Sequence, residues 1–106
     1  MNKEQWQDLY NILDRLLSDF LTNYRISREG KNKKIRDAAE RDYESAISSA
    51  DYHIKKNWDS FELLTGGKNA NGFDRAIIND EFLLPRYFGN DMRDFLLVIK
   101  NHIETL

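Results

Sequence analysis

The 106-residue sequence has no cysteine, one proline and five glycines, and each scarcity excludes something. Without cysteine, the chain forms neither disulfides nor thiolate metal sites. With so little proline and glycine, few positions oppose helix formation. The longest apolar run, residues 95–99, is far shorter than the roughly 20 residues that a membrane span requires. The polar N-terminal segment also lacks the apolar stretch of a signal peptide, so we expect a soluble, cytoplasmic protein.

The composition that remains is typical of one folded domain. Hydrophobic residues make up 41% of the chain and charged residues 32%, which favours a globular over a disordered protein. The length is near that of a single domain, so we predict one domain over residues 1–106. The abundance of asparagine, isoleucine and lysine suggests a bacterial or phage gene.

The first segment has the apolar spacing of one helix face. Its apolar residues recur three and four positions apart and cover about half of the helix circumference. A stripe of that width predicts contact with two neighbouring helices. Gly30 is predicted to end this helix in the left-handed conformation. The stripe consists of Trp6, Leu9, Tyr10, Leu13, Leu16, Leu17, Phe20, Leu21 and Tyr24.

A second long helix is predicted after Asn32, which would serve as its N-cap. Small residues are dense in its middle, which predicts a closely packed neighbour. Unbroken to residue 64, this helix would be about 48 Å long. The spacing of Asp59 and Glu62 resembles a capping signal and favours a break near Asn57. Its apolar face is Ile35, Ala39, Tyr43, Ala46, Ile47, Ala50, Ile54 and Trp58.

Two shorter helices are predicted beyond a polar loop at residues 65–72. One would run over residues 73–84 and end before Pro85. The last would be capped by Asn90 or Asp91. Its core face would be Met92, Phe95, Leu96, Ile99, Ile103 and Leu106. The predicted fold is all-α, a four-helix bundle-like single domain with two long antiparallel helices and two shorter ones.

The polar loop has two weak resemblances to ligand-binding motifs. Gly67-x-Asn69-x-Asn71-Gly72 matches the middle of a calcium-binding loop, but the first and twelfth positions hold Gly67 and Ile78 instead of acidic residues. A polar turn explains the pattern better. Gly-Gly-Lys at residues 66–68 lacks the remainder of a phosphate-binding loop.

No catalytic or metal-binding arrangement emerges elsewhere. His53 and His102 have neither a Glu-x-x-His partner nor a second histidine four residues away. The carboxylates of the second helix fit a solvated face, and no activated nucleophile can be assembled. We therefore expect no enzyme activity, no metal, no cofactor and no small-molecule substrate.

The segment at residues 25–36 concentrates positive charge, with one acidic residue, Glu29, against six basic ones. Three interpretations are open. Its first cations could simply favour the end of the first helix. The segment could instead bind nucleic-acid phosphates or an acidic protein surface. The overall pI of about 5.7 argues against a dedicated nucleic-acid binder. The six basic residues are Arg25, Arg28, Lys31, Lys33, Lys34 and Arg36.

Two apolar features suggest a partner surface. The run at residues 82–88 is rich in apolar and aromatic side chains, and it either plugs the end of the bundle or exposes Pro85, Tyr87 and Phe88 as an anchor. Leu97 and Val98 lie off the main stripe of the last helix. These features favour a non-enzymatic protein-interaction module, such as a regulator, an inhibitor or an assembly subunit, or self-association as a homodimer. The alternative is a nucleic-acid-associated accessory protein that uses the basic segment.

Overall fold

The computed structural model describes residues 1–64 and 80–106. These residues form four α-helices and one 3-10 turn, Glu81–Leu83. The helices are α1 (Lys3–Glu29), α2 (Lys33–Lys56), α3 (Trp58–Glu62) and α4 (Pro85–Glu104). The prediction of an all-α, bundle-like fold is confirmed. The polar loop, with both of its motif resemblances, and the first part of the predicted third helix lie outside the described residues.

The two long helices form an antiparallel hairpin. Asn2 caps α1, because its side chain accepts the Gln5 amide at 2.8 Å while the Gln5 side chain accepts the Asn2 amide at 2.9 Å. Near the turn that joins α1 to α2, the rings of Tyr24 and Tyr43 lie 5.3 Å apart. The start of α1 lies instead beside α3, where Trp6 contacts Phe61 with ring centroids 5.5 Å apart.

Helix α4 packs antiparallel to α1. Its first turns meet the second half of α1, with the rings of Phe88 and Phe20 4.7 Å apart. Its last turn reaches the start of α1, where His102 lies 5.0 Å from Trp6. Helix α1 therefore packs against both α2 and α4, which explains the width of its apolar stripe.

The second helix breaks at Asn57, which was one of the two possibilities for so long a helix. The Asn57 side chain donates a hydrogen bond to the His53 carbonyl at 2.7 Å, which satisfies one orphan acceptor at the end of α2. The predicted capping signal is wrong, because Asp59 lies inside α3 and α3 has no side-chain cap.

Helix α4 begins at Pro85, five residues earlier than Asn90. Leu84 is extended, as the residue before a proline prefers, and proline at the first helical position sacrifices no hydrogen bond. The predicted start at Asn90 or Asp91 is therefore wrong. The end of the predicted third helix is the short 3-10 turn, whose Phe82 is fully buried.

Side chains from all four helices and the 3-10 turn form one core. The small side chains of Ala46 and Ala50 are buried in it, in agreement with close packing of α2. Ile35 is 43% exposed, so its assignment to the core face of α2 is wrong, and Leu106 is exposed as well. The largest fully buried side chains are Phe20, Phe61, Phe82, Phe88, Phe95, Leu13, Ile54, Met92 and Ile99.

Candidate interaction surfaces

The basic segment, residues 25–36, forms the turn of the α1–α2 hairpin, and we call it the hairpin tip. Helix α1 continues about 13 Å beyond Phe20, whereas α4 begins only about 5 Å before Phe88, the residue opposite Phe20. Within residues 25–38, all of which are described, no side chain belongs to the core cluster. The tip is therefore a two-helix projection beyond the end of the three-helix body.

Local interactions fix the shape of the tip. Gly30 has φ −59° and ψ 149°, so the predicted left-handed conformation is wrong. Glycine is favoured there by close approach, because an added Cβ would lie 2.7 Å from the Ile26 carbonyl oxygen. Asn32 caps α2 as predicted, with its Oδ1 accepting the Ile35 amide at 2.9 Å. Arg36 Nη1 donates to the Gly30 carbonyl at 2.9 Å and closes the turn.

The six cations of the tip divide into two groups. Three have partners in the tip or next to it: Arg36 donates to the Gly30 carbonyl, Arg28 lies 5.4 Å from the Tyr24 ring centroid, and Lys33 pairs with Asp37 at 3.1 Å. The other three, Arg25, Lys31 and Lys34, are exposed and form no ion pair within the described part of the chain. These three are the charges that the tip can offer to a partner.

Charge is distributed unequally between the tip and the rest of the chain. The tip holds six of the sixteen basic residues and one of the eighteen acidic ones. The remaining sequence therefore carries seventeen acidic residues against ten basic ones. A positive projection on a negative body attracts a partner with a local anionic surface and repels an extended one.

The predicted apolar partner residues do not form one surface. Phe88 is fully buried and Val98 is 2% exposed, so the prediction that these two residues belong to a partner-binding surface is wrong. Pro85 is half-buried, while Tyr87 and Leu97 are 43% and 49% exposed. Leu97 lies ten positions after Tyr87 in the helix, which corresponds to about 15 Å along α4. They are isolated exposed side chains, and Tyr87 is covered in part by the Arg86 guanidinium, 4.7 Å from its ring centroid.

The apolar and aromatic run at residues 82–88 closes the end of the bundle, which was one of the two interpretations of this run. Phe82 and Phe88 are fully buried. Phe88 joins Phe20, Tyr24 and Tyr43 in a cluster directly below the hairpin tip. Burial raises the pKa of the Tyr43 phenol above its usual 10.0, and the nearby carboxylates of Glu40 and Glu44 raise it further. The tip therefore projects from a cluster of packed aromatic rings.

A groove lies beside α2, and sequence reasoning missed it. It has a volume of about 340 Å³ and is lined by Glu44, Ile47, Ser48, Asp51, Leu83 and Pro85. We call it the carboxylate groove. Only the tertiary fold brings residues 83 and 85 beside α2, so no local sequence signal could have revealed it.

Lys55 anchors one edge of the carboxylate groove. Its Nζ lies 2.8 Å from Asp51 and 2.8 Å from Asp80, which ties α2 to the segment before the 3-10 turn. Hydrogen bonds to both carboxylates raise the pKa of Lys55. A single ammonium shared by two carboxylates leaves this edge with net negative charge.

The described residues hold no cluster of ligands typical of a metal site. Residues 1–64 and 80–106 contain no group of three or more histidine, aspartate or glutamate side chains arranged for an ion. His53 and His102 lie instead against the rings of Tyr52 and Trp6. Over the same residues, no helix is both long enough and apolar enough to cross a bilayer.

Fold and surface together define a small helical domain with a cationic hairpin tip and an anionic body. Comparison with protein-family models, curated proteins and solved structures found no match.

Proposed function

We propose that this protein is a non-enzymatic interaction module, a regulator, inhibitor or assembly subunit that binds an acidic surface of a protein partner through its hairpin tip. The observation that carries the proposal is the projection of Arg25, Lys31 and Lys34 beyond the core without ion-pair partners among the described residues. Three unpaired cations on one projection concentrate positive potential, which favours association with an acidic surface.

The charge of the whole molecule supports a protein partner over an extended polyanion. A duplex nucleic acid would bring phosphates near the acidic body as well as the tip, and like charges would repel. An acidic patch on a protein can instead match the tip alone. Ile35 adds an exposed apolar side chain next to Lys34, which a protein surface can cover.

The test is capture of cross-linked partners from a native lysate with three forms of the protein. These are the wild type, a tip variant with Arg25→Glu, Lys31→Glu and Lys34→Glu, and a matched variant with Lys3→Glu, Arg15→Glu and Lys100→Glu. The matched variant changes net charge equally through exposed side chains outside the tip. We expect the wild type and the matched variant to capture the same acidic protein, and the tip variant to lose at least about tenfold in recovery.

Nuclease treatment of the lysate separates the two partner classes. Capture that survives nuclease and depends on the tip supports the proposed protein partner. Equal capture by the tip variant and the wild type contradicts it. Helix content measured by circular dichroism confirms that the variants remain folded.

The second candidate is a nucleic-acid-associated accessory protein. It is favoured by the clustering of the unpaired cations at one end of the molecule, where they can contact neighbouring phosphates. This function predicts binding to single-stranded RNA or DNA that weakens steeply with salt and is abolished in the tip variant. Absence of binding at low salt would exclude it.

A further inference from the structure

We infer that the acidic partner of the hairpin tip is a second copy of this chain, which receives the tip in its carboxylate groove. The inference rests on the proposed function and deepens it by giving the partner an identity. Two surfaces of opposite charge on one molecule carry the argument.

The carboxylate groove has the chemistry to bind a lysine side chain. Ile47, Leu83 and Pro85 supply an apolar lining, and Glu44 and Asp51 stand at its edges. A lysine can lay its methylene stem along such a lining while its ammonium reaches the carboxylates. Lys55 does not neutralise the site, because its one ammonium is already shared between Asp51 and Asp80, while Glu44 forms no ion pair within the described residues.

The hairpin tip has the complementary chemistry. Lys34 and Ile35 are neighbours in the first turn of α2, and both are exposed. Lys31 precedes them in the turn. Two cations with an apolar side chain beside them match an apolar groove with carboxylate edges.

The tip cannot reach the groove of its own molecule. Lys34 and Glu44 lie on the same continuous helix, about 15 Å apart along its axis, and Asp51 lies about 10 Å further on. A helix holds these positions at fixed separation, so the two surfaces can meet only between molecules. Two copies that exchange tips form a closed dimer, and copies joined head to tail form larger assemblies.

A charge exchange tests this contact. The tip-reversed variant carries Lys31→Glu and Lys34→Glu, and the groove-reversed variant carries Glu44→Lys. In each variant alone, the substituted positions face charges of the same sign across the contact. In a pair formed by one copy of each variant, every contact between positions 31 or 34 and position 44 joins opposite charges. We expect the wild type to self-associate in sedimentation experiments. Each variant alone should associate at least about tenfold more weakly, and the mixture should regain association.

Salt and matched variants provide the controls. Raising salt from about 0.01 M to about 1 M shortens the screening length from about 30 Å to about 3 Å, and should dissociate the wild-type assembly. Lys3→Glu with Arg15→Glu, and separately Asp19→Lys, change net charge by the same amounts at exposed positions on α1 and should leave association unchanged. Circular dichroism establishes that every variant is folded.

The outcomes separate this inference from the proposed function. Restored association in the mixture supports the tip–groove contact. A wild type that is monomeric at low salt overturns it, as does association that neither reversal weakens. If the wild type is monomeric but the tip still captures another acidic protein, the inference fails and the proposed function stands.

Discussion

At the scale of single residues, Asp91 is a destabilising feature of α4. Its carboxyl group is half-buried, and burial raises its pKa above the usual 3.8. The neighbouring charges of Asp94 and Glu81 raise it further. Near neutral pH the folded protein must therefore keep an anion in an unfavourable position, which lowers the free energy of unfolding.

Asp91→Asn should raise the melting temperature near pH 7 by up to about 4 °C, because the amide keeps the shape without the charge. The way this gain changes with pH follows from the raised pKa of Asp91. As pH falls through the folded-state pKa towards the unfolded value, Asp91 takes up a proton in the folded state first, so the wild type recovers this loss. The gain from Asp91→Asn should therefore shrink in acid.

Thermal unfolding of both forms across pH measures this gain. Asp14→Asn is the matched control, since Asp14 is an exposed carboxylate on α1. The explanation would be wrong if Asp91→Asn gave no stabilisation near neutral pH, or if Asp14→Asn gave the same gain.

At the scale of helices, the start of α2 depends on one side chain. Asn32 Oδ1 accepts the Ile35 amide, which would otherwise be an orphan donor. Asn32→Ala should lower the free energy of unfolding by about 1 kcal/mol, and Asn32→Asp should retain it because aspartate is an equally good N-cap. Urea unfolding measures both changes. Equal losses in the two variants would show that the cap contributes nothing specific.

Helices whose limits depend on local chemistry were predictable from sequence. The stripe of α1 and the Asn32 cap both follow from spacing and from side chains close in the chain, whereas the Asp59 capping signal that favoured a break near Asn57 is not formed. The start of α4 was not predicted, because proline was read only as a barrier to the residue before it. Proline also suits the first helical position, and Phe88 is spaced from Met92 and Phe95 as one helix face requires.

Features that depend on packing between distant segments could not be predicted from the sequence. Val98 lies off the main stripe of α4 yet is 2% exposed, so the buried surface of α4 is wider than its apolar stripe predicted. The sequence shows the cluster of cations, but it does not show which of them are paired and which are unpaired. Arg36 is a turn-closing residue because Gly30 lies within its reach, six residues away in sequence.

At the scale of the whole molecule, the buried core belongs to the body and does not extend into the tip. All four helices contribute side chains to the core of the body, whereas residues 25–38 have only their partner helix and no member of the core cluster. Stability is not uniform in such a structure, because segments with few buried apolar contacts open without global unfolding. The arrangement separates the part that maintains the fold from the part that we propose binds a partner.

Hydrogen exchange of backbone amides should reveal this gradient. The amides of Ile26 and Ala38 should exchange at least about tenfold faster than those of Leu13, Ala50 and Ile99, relative to unfolded reference rates. Leu13→Ala removes a fully buried side chain and should cost about 3–5 kcal/mol of global stability. That loss should accelerate exchange in the core while leaving the tip amides nearly unchanged, because tip opening does not require the core to open. Uniform protection in the wild type, or equal acceleration of tip and core by Leu13→Ala, would mean that tip and body unfold as one unit.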